Sequence, residues 1–182
     1  YAGVVFWSAR SGGQGRLKSW ILSRINEGVP LVFLERFIMD SDRAFLSALG
    51  LEEPALVRPV PPVRITLKDS RIGFEQQPLP QIEFFRSLRL KSGKPLLRLA
   101  SADGIAGDAA AVTPWGGYAL DPFVVDSRFN ENGLWVLDPF RFFTDALRLP
   151  EMPVPDTTTE NGARLLMSHI DGDGFESMAE WR

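Results

Sequence analysis

The chain of 182 residues contains no cysteine, which excludes disulfides, thiolate nucleophiles and zinc–sulfur sites. Its one histidine, His169, leaves a single place for a Ser-His-Asp arrangement and rules out a multi-histidine metal site within these residues. No apolar run approaches the 18 residues of a membrane-spanning helix, so no membrane insertion is expected. Basic excess is missing as well: 20 Lys and Arg stand against 23 Asp and Glu, a formal charge of −3, so non-specific nucleic-acid binding is not expected. The opening residues show no charged segment followed by an apolar stretch of the signal-peptide kind. What is present is 45% hydrophobic residues, enough for one good core.

The first third reads as strand, helix, strand. Residues 3–7 (GVVFW) are a continuous apolar run suited to a strand buried on both faces. Residues 16–26 place Leu17, Trp20, Ile21, Leu22 and Ile25 at helical spacing, and Gly28 follows as a stop. Residues 29–34 form a second apolar run ending at Glu35 and Arg36. This spacing predicts two parallel neighbouring strands with the helix crossing over one face. A second helix fits 41–49, with Ser41 as cap and Gly50 as terminator.

The character then changes. Pro54, Pro59, Pro61 and Pro62 favour an extended linker over 52–63. Short strands are expected at 64–67, 84–90, 95–100, 109–113, 117–120 and 134–137, punctuated by glycines. Asp138 and Pro139 open a helix to about Leu147 as cap and first residue. The expected fold class is therefore α/β, a doubly wound sheet carrying added antiparallel strands. The layout resembles the flavodoxin-like or glutamine-amidotransferase-like domains appended to many carbohydrate-active proteins. Amidotransferase chemistry would need a nucleophilic cysteine at a strand–helix elbow, and there is none.

After a Pro- and Thr-rich stretch, the apolar residues 165–170 (LLMSHI) lead into Asp171-Gly172-Asp173-Gly174-Phe175. Residues two apart on a strand point the same way, so Asp171 and Asp173 can face one cleft. Two carboxylates so close do not both ionise freely, which suits one to metal ligation and the other to proton acceptance. A calcium loop would need a further acidic or amide residue where Phe175 stands. A haloacid-dehalogenase-type phosphotransfer motif also has two aspartates at this spacing, with Thr or Val usual at Phe175. The plain alternative is a turn built from good turn formers.

Residues 168–175 (SHIDGDGF) resemble the first motif of the NodB-homology polysaccharide deacetylases, most closely the variant in Pel-type exopolysaccharide-modifying proteins. Most deacetylases of this kind have adjacent aspartates, whereas here Gly172 intervenes. The segment 135–140 (WVLDPF) and the run from Thr157 to Phe175 fit the junction ahead of such a deacetylase domain. The resemblance implies residues 1–150 as a reductase-like or amidotransferase-like linking domain, 151–164 as a linker, and 165–182 as the first strand and turn of a truncated deacetylase domain. It implies Asp171 as general base and Asp173 as one ligand of a divalent, zinc-like metal in the intact parent. The completing histidine pair lies downstream in the family, so the fragment is expected to hold no cofactor and to be inactive. An acetylated amino-sugar polysaccharide as substrate, flanking domains as partners and a periplasmic location follow from the same resemblance.

Three other features carry readings. The loop Gly12-Gly13-Gln14-Gly15 lies where phosphates often bind, but Lys18 stands where a dinucleotide fingerprint needs its third glycine; Glu35 is at a plausible distance for a ribose contact. His169 reads as a packed strand residue in an apolar run. Trp115, Tyr118, Phe123, Phe129 and Trp135 offer either a sugar-stacking surface or ordinary core.

Overall fold

A computed structural model describes residues 2–7, 14–39, 41–52, 56–128 and 132–150, all within the unit Tyr1–Glu151. The expected linker 151–164 and the strand and turn 165–182, with His169, Asp171 and Asp173, lie outside the described residues.

The elements follow in the order β1 (Val4–Trp7), α1 (Gln14–Asn26), β2 (Leu31–Glu35), α2 (Arg43–Ala48), β3 (Leu51–Glu52), β4 (Leu56–Val57), β5 (Arg64–Lys68), β6 (Phe85–Arg86), β7 (Arg89–Leu90), β8 (Lys94–Ala100), β9 (Ala106–Thr113), β10 (Gly116–Leu120), β11 (Val125–Asp126), β12 (Leu134–Trp135) and α3 (Pro139–Ala146). The main sheet has six strands in the order β1-β2-β10-β9-β8-β5. Its corner β1-β2-β10 is parallel and the remainder antiparallel. The protein is thus mixed α/β with a mostly β main sheet and few helices. Among the described residues no helix is long and apolar enough to cross a membrane.

Alternation along β2 explains why helices cover both faces of the sheet. Leu31 and Phe33 join Ile21 of α1, Phe45 and Leu46 of α2, and Tyr118 in one core layer. Val32 and Leu34 join Phe142 and Ala146 of α3, with Ala110 and Ala119, in the other. A strand buried on both faces has apolar side chains at every position, and β2 reads LVFLE. The alanines of β9 and β10 leave room for Phe142 of α3.

β10 docks beside β2 because it begins with glycine. Gly116 has φ 134°, and a Cβ there would lie 1.9 Å from the Leu31 carbonyl oxygen. The Leu31 amide bonds the carbonyl of Trp115 at 2.8 Å and fixes the register.

Several expectations are corrected in detail. β1 is not buried on both faces: it is the sheet's edge strand, and Val5 and Trp7 remain 41% and 46% exposed. Asp42, not Ser41, caps α2, its carboxylate accepting the Phe45 amide at 2.9 Å and pairing with Lys18 at 2.7 Å. The single strand expected over 84–90 is two short strands, β6 and β7, because the Leu88 carbonyl between them turns to accept the Asp108 amide at 2.7 Å. The proline-rich stretch 52–63 contributes β4, which pairs with β6. Asp138 caps α3 as expected, accepting the Arg141 amide, with Pro139 in the first turn.

Two interior carboxylates are neutralised by arginine. Asp108 on β9 is fully buried; it accepts Arg98 Nε at 2.6 Å and the Leu90 amide at 3.1 Å. That pairing raises the Arg98 guanidinium pKa further. Asp126 on β11 is held by a two-pronged contact from Arg128, at 2.9 and 2.7 Å, and by Gln76 at 3.0 Å. Arg128 also donates to the carbonyls of Leu79 and Gln81, clamping that loop to β11.

Candidate binding crevice at the parallel strand ends

β2 and β10 run parallel, and Leu120 lies opposite Glu35 at their carboxyl ends. Beyond β2 the chain passes to α2, in the core layer of Phe33; beyond β10 it passes through β11 and β12 to α3, in the layer of Val32. Connections that leave neighbouring parallel strands toward opposite faces open a crevice between the strand ends, the usual ligand position in open α/β sheets.

The sequence places a carboxylate on each side of this opening. Glu35 ends β2 with φ 68°, a left-handed conformation uncommon for a residue with a side chain. It is held there from two directions. Trp7 Nε1 donates to Glu35 Oε1 at 2.8 Å, and the Asp121 amide donates to the Glu35 carbonyl at 2.9 Å. A backbone conformation of this kind persists only where its surroundings impose it, and such positions cluster at functional sites. Asp121 follows β10 directly and is joined to Pro122 by a cis peptide bond.

Two adjoining cavities share Asp121 and Phe84. One, of about 260 Å³, is lined by Glu35, Arg36, Leu56, Arg86 and Phe123 besides those two. The other, of about 350 Å³, adds Ile82, Pro122, Ser127 and Arg128. Asp121 is exposed along part of its surface, yet partial burial in this cleft raises its carboxyl above the ordinary value of 3.8, and the nearby Glu35 charge adds to the rise. The positive charges of Arg36 and Arg128 offset part of it. Asp126 goes the other way: hydrogen bonds from Arg128 hold it below 3.8 despite burial.

Aromatic rings frame the approach. Trp7 packs edge-on against Trp135, with centroids 5.5 Å apart. Trp135 is itself tied to the 73–76 turn, its amide donating to the Glu75 carboxylate at 2.8 Å. A larger hollow of about 410 Å³ beside α3 is lined by Ser70, Arg71, Phe140, Arg141, Thr144 and Asp145. Its charges are mutually committed, Arg71 to Asp69 and Asp145 and Arg141 to Asp138, so it offers a ligand little.

Of the aromatics that suggested a sugar surface, Trp115, Tyr118 and Phe123 are core residues; Phe129 lies outside the described residues, and only Trp135 stands near the crevice. Trp115 Nε1 donates to the Leu49 carbonyl at 2.8 Å, and the Tyr118 hydroxyl to the Asp108 carbonyl at 3.2 Å. Burial raises the Tyr118 hydroxyl well above its ordinary value. Residues 8–13 of the glycine-rich loop lie outside the described residues; Gln14 and Gly15 begin α1, and Glu35 stands at its strand end, paired with Trp7. Asp171 and Asp173 lie outside the described residues. Asp121 and Trp7 were missed by sequence reasoning. The signal for Asp121 was available: an acidic residue directly after an apolar strand, the same pattern read at Asp171.

Among the described residues no group of three His, Asp or Glu side chains could hold a metal ion. The crevice presents the carboxylates of Glu35, Asp121 and Glu83, guanidinium groups and apolar walls. No family model matches the chain, and no curated protein or solved structure matches it either.

Proposed function

We propose that the chain is part of a multidomain, PelA-like exopolysaccharide-modifying enzyme, with residues 1–150 as a non-catalytic linking domain and residues 165–182 as the start of a NodB-homology deacetylase domain. The observation that carries this reading is the run SHIDGDGF at 168–175, placed after a Pro- and Thr-rich stretch that follows α3. The parallel corner β1-β2-β10, covered by helices on both faces, supports a flavodoxin-like or amidotransferase-like arrangement as the origin of the linking domain.

In this reading Asp171 accepts a proton from the attacking water and Asp173 is one metal ligand. A carboxylate donor suits a zinc-like divalent ion, which when bound would polarise an acetyl carbonyl. His169 is the chain's only imidazole, so the donor set requires histidines from elsewhere in the parent protein. The substrate is an acetylated amino-sugar polymer, and the compartment the periplasm.

The test uses the intact parent protein. Asp171→Asn should abolish acetate release from an acetylated amino-sugar oligomer while bound metal is retained; Asp173→Asn should lower metal content itself. Normal activity in both variants would reduce the motif to a turn. Acetate release by residues 1–182 alone would equally overturn the proposal.

A second reading, an autonomous sugar-binding α/β domain, is favoured by the crevice between Glu35 and Asp121.

A further inference from the structure

We propose that the crevice at the carboxyl ends of β2 and β10 is a saccharide subsite, in which Glu35 and Asp121 accept hydrogen bonds from the hydroxyls of one pyranose ring. This deepens the reading above and rests on it for the kind of sugar, though the site itself stands on its own geometry.

Four observations point the same way. The cavity lies where the connections of neighbouring parallel strands diverge, the position at which open α/β sheets bind ligands. Its two adjoining parts, about 260 and 350 Å³, together fall within the size range of small-molecule sites. Among the described residues no donor reaches the Asp121 carboxylate, in contrast to Asp108 and Asp126. Phe84, shared by both cavities, stays 47% exposed although the Arg58 guanidinium lies 5.5 Å over its ring. An exposed ring beside a carboxylate that no protein donor reaches is a pairing by which proteins hold a sugar, one surface stacking on its C–H face and the other taking its hydroxyls.

The lining also decides against other ligands. A phosphate or nucleotide would meet Glu35 and Asp121, whose charges oppose the attraction of Arg36 and Arg86. A divalent cation would find no group of three acidic side chains placed to hold it among the described residues; Glu83, which lines the larger part, is paired with Arg58 at 3.0 Å. A polyhydroxylated, uncharged ring needs acceptors, a guanidinium donor and an apolar wall; Glu35, Asp121, Arg36 and Leu56 with Phe123 supply them. The apolar wall would take the methyl of an N-acetyl group, so the acetylated amino sugar is the expected form.

Residues 1–182 should be titrated with N-acetylglucosamine tetramer, its deacetylated form and a glucose tetramer, by calorimetry and by tryptophan fluorescence, for which the Trp7–Glu35 contact is the reporter. Saturable binding of at least one neutral oligomer is expected, reduced at least tenfold by Glu35→Gln and by Asp121→Asn. Both substitutions are isosteric, and an unchanged circular dichroism spectrum with a thermal midpoint no lower than the parent's would confirm that the fold is kept. Phe84→Ala should weaken binding as well. Binding of the glucose oligomer alone would support the subsite and remove the amino-sugar assignment. Absence of binding by any neutral oligomer at millimolar concentration, or binding that both carboxylate variants retain, would overturn the subsite and leave the deacetylase reading to its own metal and acetate measurements. Preference for NAD over every sugar would overturn it too.

Discussion

Asp108 and Asp121 show how differently two regions of one sheet treat a carboxylate. In the antiparallel half, Asp108 is fully buried and saturated by Arg98 and the Leu90 amide. Asp126, on the β11–β12 ladder, is saturated in the same manner by Arg128 and Gln76. At the parallel strand ends, Asp121 is crowded enough to hold its proton more tightly, yet receives no donor from the described residues. Its neighbour Glu35 is reached by one indole N–H and sits on a left-handed backbone. Interior charges are completed by the fold itself, because an unpaired buried charge is too destabilising to keep. The Asp121 carboxylate at the strand end is left without a protein donor among the described residues and partly desolvated, a state that serves a ligand better than it serves stability.

The sharpest way to break this comparison is to remove the best-paired carboxylate. Asp108→Ala strands the Arg98 guanidinium and the Leu90 amide, and should lower folding stability by about 3 kcal/mol, toward the low end for broken buried pairs because Arg98 is partly exposed. Urea denaturation at neutral pH measures it. A loss below about 0.5 kcal/mol, as for ordinary surface substitutions, would show that the interior pairs carry no more than the crevice residues.

A smaller loss is expected for Arg128→Ala, roughly 2 kcal/mol from the charge-assisted bonds to Asp126 and the released Leu79 and Gln81 carbonyls. Here pH sharpens the contrast. The Asp126 carboxyl is held below 3.8 in the folded state, so its contribution is present above 3.8 and disappears as pH falls through the lower folded value. The gap between Arg128→Ala and the parent protein should therefore narrow in acid. A gap of constant size from neutral pH to below pH 3 would assign the effect to packing of the arginine stem alone.

Much of the framework could be read without coordinates. The apolar runs ending at Trp7 and Glu35, joined by a helix with Ile21 inward, predicted the parallel pair, and Asp138-Pro139 predicted the start of α3. Local signals sufficed because each is a contact within a few tens of residues. The insertion of β10 beside β2 was not legible, since it depends on a close approach between Gly116 and Leu31 that no periodicity reports. The exposure of Trp7 was misjudged for a related reason: whether an apolar strand is central or at an edge is decided by neighbours far away in the chain. The site was only half visible. Glu35 stood out at the end of its strand, but Asp121 became its neighbour only through that same long-range pairing. Trp115, Tyr118 and Phe123, for which the sequence left a sugar-stacking surface or ordinary core open, are core, the commoner fate of large rings in a domain of this size.

The smallest predicted effect has the opposite sign. Asp121 has a folded-state carboxyl value raised above 3.8, by burial first and by the Glu35 charge second. The folded state thus binds its proton more tightly than the unfolded chain does. As pH rises above 3.8 and through the raised value, folding loses stability, and the whole penalty persists at neutral pH. Asp121→Asn removes that penalty without changing shape, so it should stabilise the protein at neutral pH by a few tenths of a kcal/mol, given the residue's exposure, and be indistinguishable from the parent below about pH 3. Thermal midpoints at the two pH values decide the matter. Destabilisation of equal size at both would mean that the Asp121 side chain holds the β10–Pro122 turn together. Stabilisation confined to neutral pH, together with weaker sugar binding, would mark a residue retained for its ligand against the interest of the fold, the trade expected of a binding site and absent at Asp108 and Asp126.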